Sequence, residues 1–143
     1  MPLVDISGCH HLRLTVSDIA RSRAFYTEVL GFQVLAESPG DPSDPAVRAD
    51  QNQLYGGIVM LGGNLVLGLR PVAPADDRFD PDRVGLDHLS FNVASRAVLE
   101  ETAQKLSERG VVHGQVTDLT GFGIAVLSLD DPDGIQLELT APL

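Results

Sequence analysis

His11-Leu12-Arg13-Leu14-Thr15-Val16 returns as His88-Leu89-Ser90-Phe91-Asn92-Val93, with the two histidines 77 positions apart. Each copy alternates in polarity at period two, the pattern of a strand with one covered face. Each then meets a fitting N-cap, Ser17 or Asp18 in the first copy and Ser95 in the second, and the helix that follows runs to a glycine stop, Gly31 or Gly110. After the first helix, residues 32–35 resume a strand. Strands near 54–61 and 65–70 are joined by Gly62-Gly63-Asn64, which tolerate a tight hairpin. After the second helix, strands fall near 111–116, 123–129 and 135–140, the last two linked by Asp131-Pro132-Asp133-Gly134, a sequence suited to a type I turn. The chain therefore reads as β-α-β-β-β twice, an α+β fold.

The 143 residues form one domain, 1–143, built from internal modules at about 8–70 and 86–141 with a linker at 71–85. The stretch 37–52 holds Pro39, Gly40, Pro42 and Pro45 and reads as a long surface loop with no element in it. The linker's Asp76, Asp77, Asp80 and Asp82 lack the ligand and glycine spacing of a calcium loop and read as solvated charge. A hydrophobic content of 43% supports a packed interior, and a net charge of −10 excludes a nucleic-acid partner, which needs a basic face. There is no long apolar run and no basic segment followed by one. A cytoplasmic protein without a membrane partner is expected. Cys9, the single cysteine, fits a reducing compartment and reads as a small buried hydrophobe.

Side chains two apart on a strand share a face, so His11, Arg13 and Thr15 oppose Leu12, Leu14 and Val16. Likewise His88, Ser90 and Asn92 oppose Leu89, Phe91 and Val93, while Gln136, Glu138 and Thr140 oppose Leu137 and Leu139. The apolar face of each sheet awaits its helix, and the polar face is the expected functional surface. Two imidazoles and one carboxylate, His11, His88 and Glu138, suit one divalent ion: iron, manganese, zinc, nickel or cobalt. His10 is one residue off the repeat and is left for packing or for support of a ligand. Arg13 shares the face of His11 and is suited to a substrate carboxylate or phosphate. Ser90, Asn92 and Gln136 are neutral hydrogen-bonding candidates for substrate. Phe122, in Gly121-Phe122-Gly123, offers either an apolar pocket wall or a glycine-framed turn.

These residues resemble the vicinal oxygen chelate superfamily of glyoxalases, bleomycin resistance proteins and extradiol dioxygenases. The likeness is carried by His11 in His-Leu-Arg-Leu-Thr-Val-Ser-Asp, by Phe25-Tyr26-Thr27-Glu28-Val29-Leu30-Gly31-Phe32, by His88 in Asp-His-Leu-Ser-Phe-Asn-Val, and by residues 131–139. The resemblance implies two βαβββ modules forming an incomplete barrel around a metal ion, with His11, His88 and Glu138 as ligands, in a homodimer. Leu67-Gly68-Leu69 matches Leu137-Glu138-Leu139, so Gly68 stands where a four-ligand glyoxalase I places a carboxylate. A three-ligand centre is the expectation.

The reaction expected from the resemblance is that of an isomerase, epimerase or lyase whose metal chelates a small oxygenated substrate. One alternative is a non-catalytic drug- or metabolite-binding resistance protein, in which the ligand trio tends to be missing. Another is a ring-cleaving dioxygenase, which asks for a further histidine and tyrosine; His113, Tyr26 and Tyr55 are the residues available. A fosfomycin-type transferase asks for several cations near the metal, for which Arg13, Arg48, Arg70 and Arg109 are the candidates.

Overall fold

The computed structural model describes residues 1–143, which divide into two compact units, Met1–Asp76 and Asp77–Leu143. The first unit contains β1 (Leu12–Thr15), α1 (Ile19–Ala24), β2 (Gln33–Glu37), α2 (Pro45–Arg48), β3 (Ile58–Gly62) and β4 (Leu65–Arg70). The second contains β5 (Leu89–Asn92), α3 (Arg96–Glu108), β6 (Thr117–Leu119), β7 (Ile124–Asp130) and β8 (Gln136–Pro142). Each unit holds one four-stranded mixed sheet, in the orders β1-β4-β3-β2 and β5-β8-β7-β6. The first strand of each runs parallel to the last, and the other pairings are antiparallel. The architecture is α+β, as the double pattern predicts. No helix is long and apolar enough to cross a membrane.

In the first unit Leu14, Val16, Ile58, Met60, Leu67 and Leu69 are buried on the sheet face toward α1, together with Phe25, Tyr26 and Phe32. The Asp18 carboxylate caps α1 by accepting from the Arg21 N–H at 3.0 Å. The helix does not continue regularly to Leu30 as its apolar stripe predicts. From Phe25 to Val29 it widens into a π turn, with the Leu30 N–H donating to the Phe25 carbonyl. That turn lets the successive residues Phe25 and Tyr26 both face the core. In the second unit α3 packs on β7 and β8, and Leu99, Leu106, Ala125, Leu127, Leu129, Ile135, Leu137, Leu139 and Ala141 form the core.

Three local expectations need correction. The 37–52 stretch does hold an element: Pro45 opens α2, where its missing N–H costs nothing, and the Asp44 carboxylate accepts from the Ala46 N–H. Residues 111–116 form no strand. Only an isolated bridge, His113 to Leu129, falls there, and the fourth strand of the second sheet is the later β6. Residues 54–57 turn before β3 begins at Ile58. The Asp131–Gly134 turn is present, with the Gly134 N–H donating to the Asp131 carbonyl at 3.0 Å. The buried Asp131 carboxylate accepts from the Asp133 and Ile135 N–H groups, both at 2.8 Å.

Candidate metal centre

The second unit brings His88 and Glu138 together. In the parallel β5–β8 pair Ser90 lies opposite Glu138 and Asn92 opposite Thr140, and from β7 Ser128 lies opposite Glu138. Since Leu137 and Leu139 are buried, alternation puts Glu138 on the polar face. His88 stands just before β5, and its Nε2 is 4.0 Å from Glu138 Oε1. Two donors each about 2.1 Å from one ion can lie up to about 4.2 Å apart, so the pair is within reach of a single divalent cation.

Both groups are held from behind. The His88 Nδ1 is bonded to the Asp87 carboxylate. With the proton on Nδ1, the lone pair stays on Nε2, on the side of Glu138; a carboxylate behind a ligating imidazole is a recurrent device for fixing its tautomer. Asp87 also holds the imidazole pKa above its ordinary 6.5; partial desolvation opposes that rise and the charge of Glu138 adds to it. On the other partner, the Thr140 hydroxyl donates to Glu138 Oε1 at 3.0 Å and shares a hydrogen bond with Ser90. Ser90, a candidate for substrate, is thus tied into the support of Glu138. The donor set and its bracing fit a divalent ion. Neither unit by itself gathers three His, Cys, Asp or Glu side chains around one point.

In the first unit His11 is exposed at the entry to β1, and its Nδ1 lies 2.8 Å from Nδ1 of His10, the rings meeting edge to face. His10 is therefore not a packing residue but a neighbour of the His11 ring. Arg13, two residues along, lies opposite Gly68 on β4. A Cβ placed on Gly68 would come 3.2 Å from Arg13 Nε and 3.4 Å from its Cγ, so the Arg13 side chain occupies the space above this glycine.

The remaining candidates are dispersed. Asn92 and Gln136 are exposed on the polar face of the second sheet. Phe122 is 81% exposed in a 3-10 turn closed by a left-handed Gly123. Cys9 is exposed rather than buried, because the chain ahead of β1 lies outside the core; its thiol contacts the His11 carbonyl at 3.7 Å. His113 is engaged by the Ser107 hydroxyl at 2.7 Å and the Gly114 carbonyl at 2.6 Å, and Tyr26 is fully buried against Phe25 and Phe32. Asp87 was not among the expected site residues. The signal was its place directly before the repeated histidine.

The family model described as Glyoxalase/Bleomycin resistance protein/Dioxygenase superfamily matches residues 8–139. The chain belongs to this superfamily. Among its glyoxalase-superfamily relatives, YwkD, an uncharacterised protein of Bacillus subtilis (strain 168), is 30% identical over 135 residues, covering 94% of this chain and 96% of its own. A glyoxylase/bleomycin resistance protein/dioxygenase domain from Frankia sp. EAN1pec superposes with a TM-score of 0.73 at 30% identity, over 97% of this chain and 94% of that one. A variant of the fosfomycin resistance protein FosX from Listeria monocytogenes, complexed with Mn(II) and 1S,2S-dihydroxypropylphosphonic acid, shares the fold. Its TM-score is 0.72 at 16% identity, over 97% of this chain and 95% of that one.

Proposed function

We propose that this chain is a divalent-metal-dependent enzyme of glyoxalase-like type, an isomerase, epimerase or lyase acting on a small oxygenated organic substrate. Its ligands are His88 and Glu138, with His11 as the third. The observation that carries the reading is the braced His88–Glu138 pair: an imidazole with a carboxylate on Nδ1, 4.0 Å from a carboxylate that is itself held by a hydroxyl. Purely structural pairs at a sheet surface do not need a fixed tautomer. The Mn(II) complex of FosX supports the choice of metal class for this fold.

When bound, such an ion supplies Lewis acidity toward neighbouring substrate oxygens. The chain's own residues do the remainder. Asp87 fixes which His88 nitrogen is free, Thr140 orients Glu138, and Asn92 and Gln136 offer hydrogen bonds on the same face. The dioxygenase alternative is the weaker one, because Tyr26 is buried in the core and His113 is committed to Ser107 and Gly114. The test is elemental analysis of protein purified without chelator, for wild type, His11→Ala, His88→Ala and Glu138→Ala. Near-stoichiometric metal in wild type and its loss in the variants is expected. Absence of metal after iron, manganese, zinc, nickel and cobalt have each been offered would overturn the reading in favour of ligand sequestration.

A further inference from the structure

We propose that Arg13 and Arg70 form an oxyanion-binding pair, so that the small molecule taken up beside His11 carries a carboxylate or a phosphoryl-type group. The metal-enzyme reading enters only in making this molecule the substrate; the pair stands on its own geometry.

The two sheets use the same register, and the chemistry at corresponding positions is reversed. In the second unit Ser90 lies opposite Glu138 and Asn92 opposite Thr140; in the first, Arg13 lies opposite Gly68 and Thr15 opposite Arg70. Where one sheet presents a carboxylate braced by hydroxyls, the other presents a bare backbone flanked by two guanidinium groups. With Leu67 and Leu69 buried on the core side, Gly68 and Arg70 share the polar face with Arg13. The missing side chain at Gly68 is what lets Arg13 lie across β4.

Each guanidinium is positioned by one loop. Arg13 donates from Nη1 to the Gln53 carbonyl at 2.7 Å, and Arg70 lies 4.6 Å from the centre of the Tyr55 ring. Gln53 and Tyr55 both adopt left-handed backbone, at φ of 56° and 54°, the only residues other than glycine to do so. Such strain in ordinary residues persists where surrounding structure holds it, and it gathers at ligand clamps. Here the Asp50 carboxylate holds the loop, accepting from the Asn52 and Leu54 N–H groups at 2.9 Å each.

Neither arginine has an acidic partner, although acids outnumber bases by 20 to 10 in this chain. Arg23, Arg78, Arg96 and Lys105 are each paired with a carboxylate. Arg70 Nε is buried and has no hydrogen-bond partner. A buried guanidinium donor without an acceptor is costly, and a ligand oxyanion is the group that satisfies it.

The experiment is calorimetric titration at low ionic strength with lactate, with methylphosphonate and with the neutral isostere lactamide, on metal-free and Mn(II)-supplemented protein. Lactate, methylphosphonate or both are expected to bind wild type at least about tenfold more tightly than lactamide, and the stronger of the two identifies the oxyanion class. Arg13→Gln and Arg70→Gln should each weaken that binding about ten- to hundredfold. Gly68→Ala, which crowds Arg13, should act in the same direction. Equal binding of lactate and lactamide by wild type overturns the proposal, without reliance on any variant's folding. So does unchanged anion affinity in a folded Arg13→Gln. Anion preference without metal uptake would support this pair while removing the metal reading; metal uptake with no anion preference would do the reverse.

Discussion

Asp87→Ala removes the acceptor that fixes His88 without touching either partner of the 4.0 Å His88–Glu138 pair. Loss of a carboxylate behind a ligating histidine costs metal affinity about ten- to hundredfold, or about 1.4–2.7 kcal/mol. The His88 and Asp87 side chains are 45% and 75% exposed, so water competes for the freed nitrogen and screens the lost charge. The expected effect is therefore at the lower end, about tenfold or 1.4 kcal/mol. The assay is competition for Mn(II) or Zn(II) between the protein and a chromophoric chelator at neutral pH, with His88→Ala as the reference for full loss of the ligand. Asp87→Asn should fall between wild type and Asp87→Ala, since an amide oxygen can still accept from Nδ1–H with a neutral hydrogen bond. If Asp87→Ala binds metal within about twofold of wild type while His88→Ala does not bind, the tautomer argument is wrong.

Thr140→Val keeps the shape of the side chain but removes the hydroxyl on Glu138 Oε1, and should weaken metal binding several-fold in the same competition assay; no change would show that Glu138 needs no support. Leu127→Ala, at a fully buried position of β7, should cost about 2–5 kcal/mol in urea unfolding, and a loss under about 1 kcal/mol would contradict the assigned core. Backbone hydrogen bonds from Asn52 and Leu54 hold the Asp50 carboxyl below its ordinary 3.8, so its contribution is present above that pH and is lost as pH falls through the lowered value. The Asn52 and Leu54 amide signals should accordingly titrate with a midpoint below 3.8, and a midpoint at or above 3.8 refutes the loop assignment.

What the sequence discloses and what it conceals divide along physical lines. The repeat at His11 and His88 marks β1 and β5 because period-two alternation with one buried face survives in the residues themselves. The same holds for Gly68 as the counterpart of Glu138, which the paired registers of β4 and β8 place opposite Arg13 and Ser90. Asp87 was passed over because its role runs through the ring nitrogen away from Glu138, and only coordinates tell one nitrogen from the other. Arg70 had to wait for the register that sets it diagonally from Arg13. The strand expected at 111–116 fails because a short apolar run beside two glycines states hydrophobicity but not pairing, and the pairing goes to β6. Proline misled in the opposite sense at Pro45, which starts a helix instead of preventing one.

The π turn at Phe25–Val29 amounts to one surplus residue wound into a helix that would otherwise close on schedule. Its effect is that of a spacer in a screw thread: Ala24 and Gly31 stay anchored at either end while the count between them is uncoupled from the α-helical pitch. A single deletion within 25–29 could be absorbed by tightening the turn, so this stretch is where homologous chains can differ in length while β1 and β2 keep their places. The cost of the shorter thread falls on the interior, since a regular helix turns consecutive residues about 100° apart and cannot point Phe25 and Tyr26 inward together.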